Sequence, residues 1–343
     1  MNETKAPHAA AIWSLLYAVA GLCWALGVGG FPFGEGDPDG RFTWFAGLRP
    51  QPGGWVIAAT GLACTATALA MTRRQPRLHL PLLVFGCCAA ALLLIIVPDV
   101  RVLTTVAHAP IFLVGGMFGW QEAWTDLAAS FAAPVLNQSV CVLGGALWLT
   151  ATLNFARRAS DSCVHCGRGA GWDRQATLGT AVYVGRLATW IAVIAPLPYA
   201  VSRWSWALGI PLGVSDDFLR WMRESGADIG GAVLATMAVG GSLLTLGLVQ
   251  RWGEVFPRWI LGLAGRRVPP MLAVVPALAA AVLLASGGIT MVHVSAAEIG
   301  TGDGGLGQFF PAFTWPVWGA ALAVATVAYH YRRHGACRHC HRA

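Results

Sequence analysis

The chain has 343 residues, of which 56% are hydrophobic and 11% are charged, and its mean hydropathy is +0.59. Soluble domains carry roughly 25% charged residues, so this composition excludes a soluble globular protein and indicates a membrane protein. The formal net charge of +7 comes from arginine, since Lys5 is the only lysine. The basic residues are spread among the ends of loops and form no single patch with an interleaved aromatic platform, which argues against nucleic-acid binding.

Eight apolar stretches are long enough to cross a hydrocarbon core of about 30 Å, for which a helix needs about 20 residues. They cover residues 10–30, 54–72, 80–97, 136–156, 180–202, 230–250, 269–294 and 313–331. A closed barrel would need alternating strands, whereas runs such as LPLLVFGCCAAALLLIIV are apolar on every side. The sequence therefore predicts an all-α transmembrane fold with about eight helices.

The basic residues predict the orientation of these helices. With the N-terminus in the cytoplasm, sixteen lysine and arginine residues lie in cytoplasmic segments and six lie in outer ones. Cytoplasmic loops are enriched in these residues, so both termini are predicted to be cytoplasmic, with the chain in the plasma membrane. The first span is unlike a cleaved signal peptide because one lysine and one glutamate precede it, and it is expected to remain in the protein.

Ionisable residues near the outer face of the first half are candidates for binding a substrate. They are Asp99, Arg101, His108, Glu122 and Asp126. The first two follow the third span and are close enough in sequence to pair with each other. The other three lie in segment 105–135, whose interrupted apolar pattern predicts a re-entrant or interfacial cap. A substrate cover, a structural lid and ordinary solvated loops are all consistent with this pattern.

Two short motifs, at residues 163–168 and 337–342, both read Cys-x-His-Cys-x-Arg. Each follows an apolar run that ends in basic residues. Two cysteines separated by two residues are typical of one half of a tetrahedral zinc site, and the reducing cytoplasm disfavours a structural disulfide. The sequence predicts one structural zinc ion bound by four thiolates. These are Cys163, Cys166, Cys337 and Cys340.

Other interpretations of the two motifs stay open. The cysteines are alternatively a redox-active dithiol or two metal-free turns. His165 and His339 are predicted to be turn residues or hydrogen-bond partners of the ligands, whereas His334 or His341 could replace a thiolate. The remaining cysteines lie in predicted spans, where a thiol is usually a small packing group. They are Cys23, Cys64, Cys87, Cys88 and Cys141.

The two halves of the chain are similar in sequence. Three aligned pairs carry the similarity, at offsets that fall from 182 to 177 to 174: Trp24 with Trp206, segment 53–63 with 230–240, and segment 140–166 with 314–340. The prediction is two parallel four-helix repeats, residues 1–170 and 171–343, related by a pseudo-twofold axis along the membrane normal. In transporters built from such repeats the binding site lies at the repeat interface.

Two features of the second half complete the set of candidates. Arg203 follows the fifth span and is itself followed by Trp204 and Trp206, and a charge at that depth is costly enough to predict a functional role. An anchor at the membrane interface is the alternative. Segment 251–270 mixes four arginines with aromatic and aliphatic residues. It is typical of a segment lying against anionic lipid headgroups, and also of a plain positive-inside loop.

The segments NQSVCVLGGALW and RWGEVFPRWILGLAGRRVPP, the two WALG helix ends and the two Cys-x-His-Cys motifs resemble a family of multi-pass membrane proteins common in actinobacteria. The resemblance covers most of the chain. It implies a polytopic membrane topology and a source rich in G and C, which agrees with the use of arginine in place of lysine. It implies no catalytic residues.

Three classes of function are consistent with the sequence, which contains no Walker loop, nucleophile elbow, zinc-protease helix or Rossmann glycine pattern. A transporter or flippase of a small molecule or lipid is favoured by the repeats and the polar outer segments. A scaffold or partner subunit would dock a cytosolic protein on the cysteine motifs. An intramembrane lipid-modifying enzyme would need Arg203, Asp99, Glu122 and Asp126 to converge in one cavity.

Overall fold

The computed structural model describes residues 5–73, 78–169, 173–258, 262–301, 310–333, 335, 337 and 339–341, with side chains except at 174, 176, 297–301, 310 and 311. These residues are α-helical apart from loops and one isolated antiparallel bridge between Val255 and Arg267. The chain divides into two compact units. The first comprises Met1–Trp172 and Ala336–Ala343, and the second comprises Asp173–Gly335.

The first unit is built from long apolar helices, the first two of which are joined by residues 26–49 with two short 3₁₀ turns. Its helices are α1 (Lys5–Ala25), α2 (Pro50–Ala70), α3 (His79–Ala91), α4 (Val100–Met117), α5 (Ala123–Ser130) and α6 (Ala133–Ala159). Helix α3 runs on through one π-helical turn, Leu92–Ile96. Such turns occur mostly as single insertions, often at functional positions. This one leads directly into Pro98 and Asp99.

The second unit follows a similar order of long helices. Its helices are α7 (Arg174–Ile194), α8 (Leu197–Ala207), α9 (Asp216–Glu224), α10 (Ala227–Leu246), α11 (Pro270–Thr301) and α12 (Trp315–Arg333). Helices α7 and α8 are the two parts of one apolar segment, Thr177–Ala207. The segment is interrupted just before Pro196, which lacks the N–H that an unbroken helix would use.

Nine helices in the described ranges are long and apolar enough to cross a membrane, one more than the sequence predicts. The chain is therefore an integral multi-pass membrane protein. Large apolar side chains on these helices face outward, as Leu16, Leu143 and Leu244 do with exposed fractions of 66%, 65% and 70%. The additional helix is α4, which lies within the segment predicted to form a cap.

Hydrogen bonds inside the first unit join the two ends of α6 to neighbouring segments. Arg158 Nη2 donates to the carbonyl of Met71 over 2.8 Å, which joins the end of α6 to the end of α2. Gln138 Nε2 donates to Asp99 Oδ2 over 2.6 Å, which joins the start of α6 to the residue that precedes α4. Met71 therefore lies beside the C-terminal end of α6, and Asp99 lies beside its N-terminal end.

Small residues allow the helices of the first unit to approach closely. A Cβ atom on Gly21 would lie 2.7 Å from the backbone nitrogen of Ala58, and one on Gly54 would lie 2.4 Å from that of Ala25. A Cβ atom on Gly61 would lie 2.8 Å from the Cβ atom of Ala18. Glycine at such crossings is common where van der Waals packing drives helix association in lipid. These contacts hold α1 against α2.

In the second unit, α12 packs against α11 and α7. A Cβ atom on Gly319 would lie 2.6 Å from the carbonyl oxygen of Ala281 on α11. At its C-terminal end, the Tyr329 hydroxyl donates to the carbonyl of Gly253 over 2.7 Å, and Arg333 Nη2 donates to that of Val268 over 2.7 Å. The last turn of α12 therefore orders the loop between α10 and α11, which includes much of the arginine-rich segment 251–270.

Candidate metal centre

The first cysteine motif is held by the last turn of α6. The chain leaves this helix through Asp161, which has a positive φ of 49°, and the Ser162 N–H donates to the carbonyl of Arg157 over 2.8 Å. The Arg157 side chain then reaches forward, and its Nη1 donates to the carbonyl of Val164 over 2.8 Å. The basic residue that ends the span thus also fixes the position of the cysteine turn.

Both cysteine motifs form the same backbone turn. The Gly167 N–H donates to the carbonyl of Cys163 over 2.6 Å, and the His341 N–H donates to that of Cys337 over 2.9 Å. Gly167 and His341 both have left-handed backbones, with φ of 77° and 56°. Only glycine adopts this region without a steric penalty, so the second turn is the more strained of the two.

The two turns bring four sulfur atoms together within the first unit. Cys163 Sγ lies 4.0 Å from Cys337 Sγ, and Cys166 Sγ lies 3.5 Å from Cys340 Sγ. The four Sγ atoms all lie within 4.8 Å of one another. Zinc–sulfur bonds of about 2.3 Å at tetrahedral angles require sulfur–sulfur distances of about 3.8 Å, so this arrangement fits one zinc ion.

The backbone of each turn favours a thiolate on its first cysteine. Hydrogen bonds from the N–H groups of Cys340 and His339 lower the pKa of Cys337 to about 6. Burial raises the pKa of Cys163, but hydrogen bonds from the N–H groups of Cys166 and His165 outweigh it and leave that pKa below its usual value. Both turns thus favour the thiolate form of their first cysteine before any metal binds.

The second cysteine of the first turn has the opposite tendency. Burial raises the pKa of Cys166 to about 12, and its neutral thiol lies among the other three sulfurs. A bound cation removes this penalty, because a thiol that coordinates zinc is deprotonated outright. Four thiolates around one zinc ion leave no open position for a substrate water, so the arrangement is suited to a structural role and not to hydrolysis.

The histidines of the motifs lie beside the sulfur cluster without joining it. The His165 and His339 rings stack with centroids 3.6 Å apart and planes 7° apart. Among the described residues the cluster contains cysteines alone. His341 occupies the left-handed position after the second turn, and His334 lies outside the described residues.

The predicted pair Asp99 and Arg101 belongs to a larger buried network. Arg101 Nη1 and Nη2 donate to the two carboxylate oxygens of Asp37, each over 2.6 Å, and its Nε lies 3.1 Å from both oxygens of Asp99. Gln138 on α6 bonds Asp99 through both its side-chain amide atoms, over 2.6 and 3.1 Å. Asp99 is fully buried. Asp37 and Gln138 were not predicted as members of this network, because their partners lie 64 and 39 residues away in the sequence.

The other candidates of the first half lie apart from this network. His108 Nδ1 lies 2.8 Å from the carbonyl of Thr104 in its own helix, and its ring stacks on Phe112. Glu122 is exposed at the start of α5, and Asp126 is half-buried in its first turn. None of the three forms an ion pair within the described part of the chain. Their role in substrate binding stays a prediction.

Arg203 is the candidate from the second unit. Its guanidinium lies over the Trp206 ring at 4.1 Å and over the Tyr199 ring at 5.1 Å from the centroids. The described residues provide no carboxylate that pairs with it. It thus differs from Arg101, whose donors are occupied by two carboxylates.

No family model, curated protein or solved structure matches this chain. The resemblance to an actinobacterial family therefore stays a prediction. The fold and the site define the class, which is a multi-pass helical membrane protein with four clustered cysteines that can hold one metal ion.

Proposed function

We propose that the four cysteines bind one zinc ion that clamps the C-terminal segment of the chain to the end of α6. The observation that carries this proposal is the clustering of four sulfurs from turns that lie 174 residues apart in sequence. Zinc is favoured over redox chemistry because two pairs of thiols, each preorganised by N–H groups, match a closed four-thiolate site.

Metal analysis and thermal unfolding of the purified chain test the clamp. Protein purified without chelator should contain about one zinc per chain, and the double substitution Cys163→Ser, Cys337→Ser should remove it. The melting temperature should fall in this variant, since metal binding adds to the free energy of unfolding. Cys87→Ser, Cys88→Ser is the matched control because both thiols are exposed on α3. Wild-type protein without metal, or an unchanged melting temperature in the double variant, would refute the clamp.

We further propose that the protein is a transporter or flippase of a small molecule or lipid, built from two parallel repeats. Matching contacts inside the two units support the repeats. Arg158 on α6 bonds the carbonyl of Met71, and Arg332 on α12 bonds that of Leu248. The two arginines are 174 residues apart, which is the offset of the aligned segments that contain them. The two residues that supply the carbonyls are 177 apart, which is the offset of the aligned segments that precede them.

The same hydrogen bonds support an orientation with both termini in the cytoplasm. Eight crossings, with α4 returning to its own face, would place the two ends of the chain on one side. The excess of arginine in the corresponding loops assigns that side to the cytoplasm. The cysteine turns would then lie in a reducing compartment, which suits free thiolates and zinc.

A lipid-scrambling measurement tests the transport proposal. Purified protein is reconstituted into vesicles that contain phosphatidylglycerol with a fluorescent headgroup label, and an impermeant reductant is added outside. Protein-dependent flipping should raise the quenched fraction above the roughly half that lies in the outer leaflet of protein-free vesicles. A quenched fraction equal to that of protein-free vesicles would refute a flippase for such lipids.

A scaffold is the second candidate, and the closed network around Arg101 favours it. Asp37, Asp99 and Gln138 satisfy the charged donors of Arg101, which leaves that part of the first unit stabilised and not poised for a ligand. A scaffold would retain a specific cytosolic protein on the metal-bound turns. Crosslinking in cells should then capture the same partner with the wild type and lose it with Cys163→Ser, Cys337→Ser.

A further inference from the structure

We propose that Arg203 binds a phosphate group at one end of the membrane-spanning segment of α7 and α8, in the second unit. The phosphate belongs to an anionic lipid headgroup or to a free phosphate compound. This inference gives the proposed transporter a substrate class, and in that respect it rests on the proposed function. The binding site itself stands on the side chains around Arg203.

The Arg203 guanidinium is held against two aromatic faces, and it shares a side-chain hydrogen bond with Tyr199, which leaves the remainder of its five N–H donors for a ligand. Its carbon lies over the fully buried Trp206 at 4.1 Å and over Tyr199 at 5.1 Å. Its aliphatic stem runs along α10, since a Cβ atom on Gly231 would lie 3.3 Å from Arg203 Cδ. A guanidinium that stacks on rings keeps its donors in the plane of the group, where they can bond a phosphate in pairs.

The described residues offer the donors around Arg203 few acceptors, of which the Tyr199 hydroxyl is one. No described carboxylate forms an ion pair with Arg203. Trp315, whose ring packs edge-to-face on Tyr199 with centroids 5.3 Å apart, has a buried indole N–H without a hydrogen-bond acceptor. The indole nitrogen of Trp206 is not available, because it donates to the carbonyl of Leu212 over 3.0 Å. A site with unfilled donors and a positive charge is complementary to an anion.

Comparison with the first unit indicates that the arginine is an addition to the helix framework. At the offset of 182, Tyr17 and Trp24 correspond to Tyr199 and Trp206, and Gly21 corresponds to Arg203. In the first unit the glycine packs tightly against α2, with the Cβ position 2.7 Å from the Ala58 nitrogen. The framework thus forms without a charge at this position, and the charge of Arg203 needs an explanation other than packing.

The location of Arg203 matches the depth of phosphate headgroups. It lies four residues before the end of segment Thr177–Ala207, about 6 Å along a helix. The short helix α9 lies next to this end, with Leu219 and Met222 buried against Trp206 and Trp221 58% exposed. A short helix with one apolar face buried against the protein and an exposed tryptophan on another face is suited to the membrane interface. Arginine near the headgroups attracts anionic lipids, with bidentate geometry that favours phosphate.

Ligand binding to the full-length protein in detergent tests this inference. Phosphatidylglycerol and inorganic phosphate are titrated separately, with the melting temperature and the lipid retained in native mass spectrometry as readouts. Arg203→Gln should weaken binding at least about tenfold, as expected for loss of hydrogen bonds to a charged group. Arg203→Lys should weaken it less, since the charge remains without the planar fork. Arg220→Gln is the matched control, because it changes the same charge on the exposed face of α9.

Each outcome decides the inference. Binding of phosphatidylglycerol that is lost in Arg203→Gln supports a lipid headgroup, and competition by inorganic phosphate supports a free phosphate ligand. Equal binding by wild type and both Arg203 variants, or no binding of either probe to the wild type, overturns it. The zinc content and the elution volume in size-exclusion chromatography verify that each variant is folded. If Arg203→Gln does not fold, the comparison of wild type with Arg203→Lys is used alone. Binding without scrambling would refute the flippase and leave the phosphate site intact.

Discussion

At the residue scale, the positions after the two cysteine turns differ in strain although they have the same role. Gly167 occupies the left-handed region without penalty, whereas His341 occupies it with a side chain. For residues other than glycine this region costs roughly 1–2 kcal/mol. The second turn therefore retains the geometry of the first at a steric cost that the sulfur cluster must outweigh.

We predict opposite effects of two substitutions at these positions. His341→Gly should raise the melting temperature of the zinc-bound protein slightly, because relief of strain exceeds the added entropy of the unfolded chain. Gly167→Ala should lower the free energy of unfolding by about 1 kcal/mol, since it introduces strain and its Cβ would lie 3.2 Å from Arg157 Nε. Gly29→Ala is the control, because Gly29 has open space and no positive φ. A stabilised Gly167→Ala would contradict the assigned turn.

The clustering of the four cysteines and the pairing of Asp99 with Arg101 were predictable from the sequence, whereas the contacts of Asp37 and Gln138 were not. The cysteines repeat a short motif at a fixed spacing, so local sequence identified both turns. Asp37 lies 64 residues from Arg101, and the two meet only in the folded first unit. Similarly, Asp99 and Gln138 are 39 residues apart. Such pairs depend on where helices end, which is the least predictable property of an apolar segment.

The Arg101 network provides a prediction for a single carboxylate. Asp37→Ala removes one of two carboxylates from a buried arginine, and loss of one partner of such a pair costs about 3–5 kcal/mol. The melting temperature should fall strongly. Glu35→Gln is the control, because its pair with Arg49 spans 3.7 Å between exposed side chains and contributes little. Equal stability of the two variants would indicate that water or another group replaces Asp37.

At the scale of helices, hydropathy identified the apolar segments that are candidates for crossing the membrane. Hydrogen bonds at the ends of α6 show which of these segments lie next to each other. Helix α4 has the length and composition of a span, yet its sequence contains Arg101, His108 and Pro110. The prediction of a cap rested on the interrupted apolar pattern of residues 105–135, and it stays a prediction because α4 is also long and apolar enough to be a span. The kink between α7 and α8 was not predicted as a break, because proline is tolerated within membrane helices.

Close packing of α1 on α2 gives a prediction with an internal control. Gly54→Ala should lower the melting temperature, since its Cβ would lie 2.4 Å from the Ala25 backbone and helices must move apart. Overpacking of this kind costs typically 1–3 kcal/mol. Gly230→Ala on α10 should be neutral, because nothing lies within 4 Å of its Cβ position. If Gly54→Ala is also neutral, the two helices are less closely packed than the structure has them.

At the scale of the whole molecule, the proposed orientation predicts which residues an impermeant reagent reaches. In intact cells a membrane-impermeant maleimide should label Ser225→Cys, at the exposed end of α9. Cys337 and Cys340 should react only after permeabilisation and removal of metal. Labelling of either cysteine in intact cells under chelation would reverse the assigned orientation.

The composition of the first unit has a consequence for the order of events during synthesis. Its cysteine cluster includes Cys163 and Cys337, which are 174 residues apart. At about 5–20 residues per second the ribosome needs about 10–35 s to make the chain between them, during which α7 to α12 must enter the membrane. Cys163 and Cys166 thus remain without their partners in the cluster until Cys337 and Cys340 are made. A chain cut short before Cys337 cannot form the proposed zinc site, so zinc content would report whether synthesis had passed this residue.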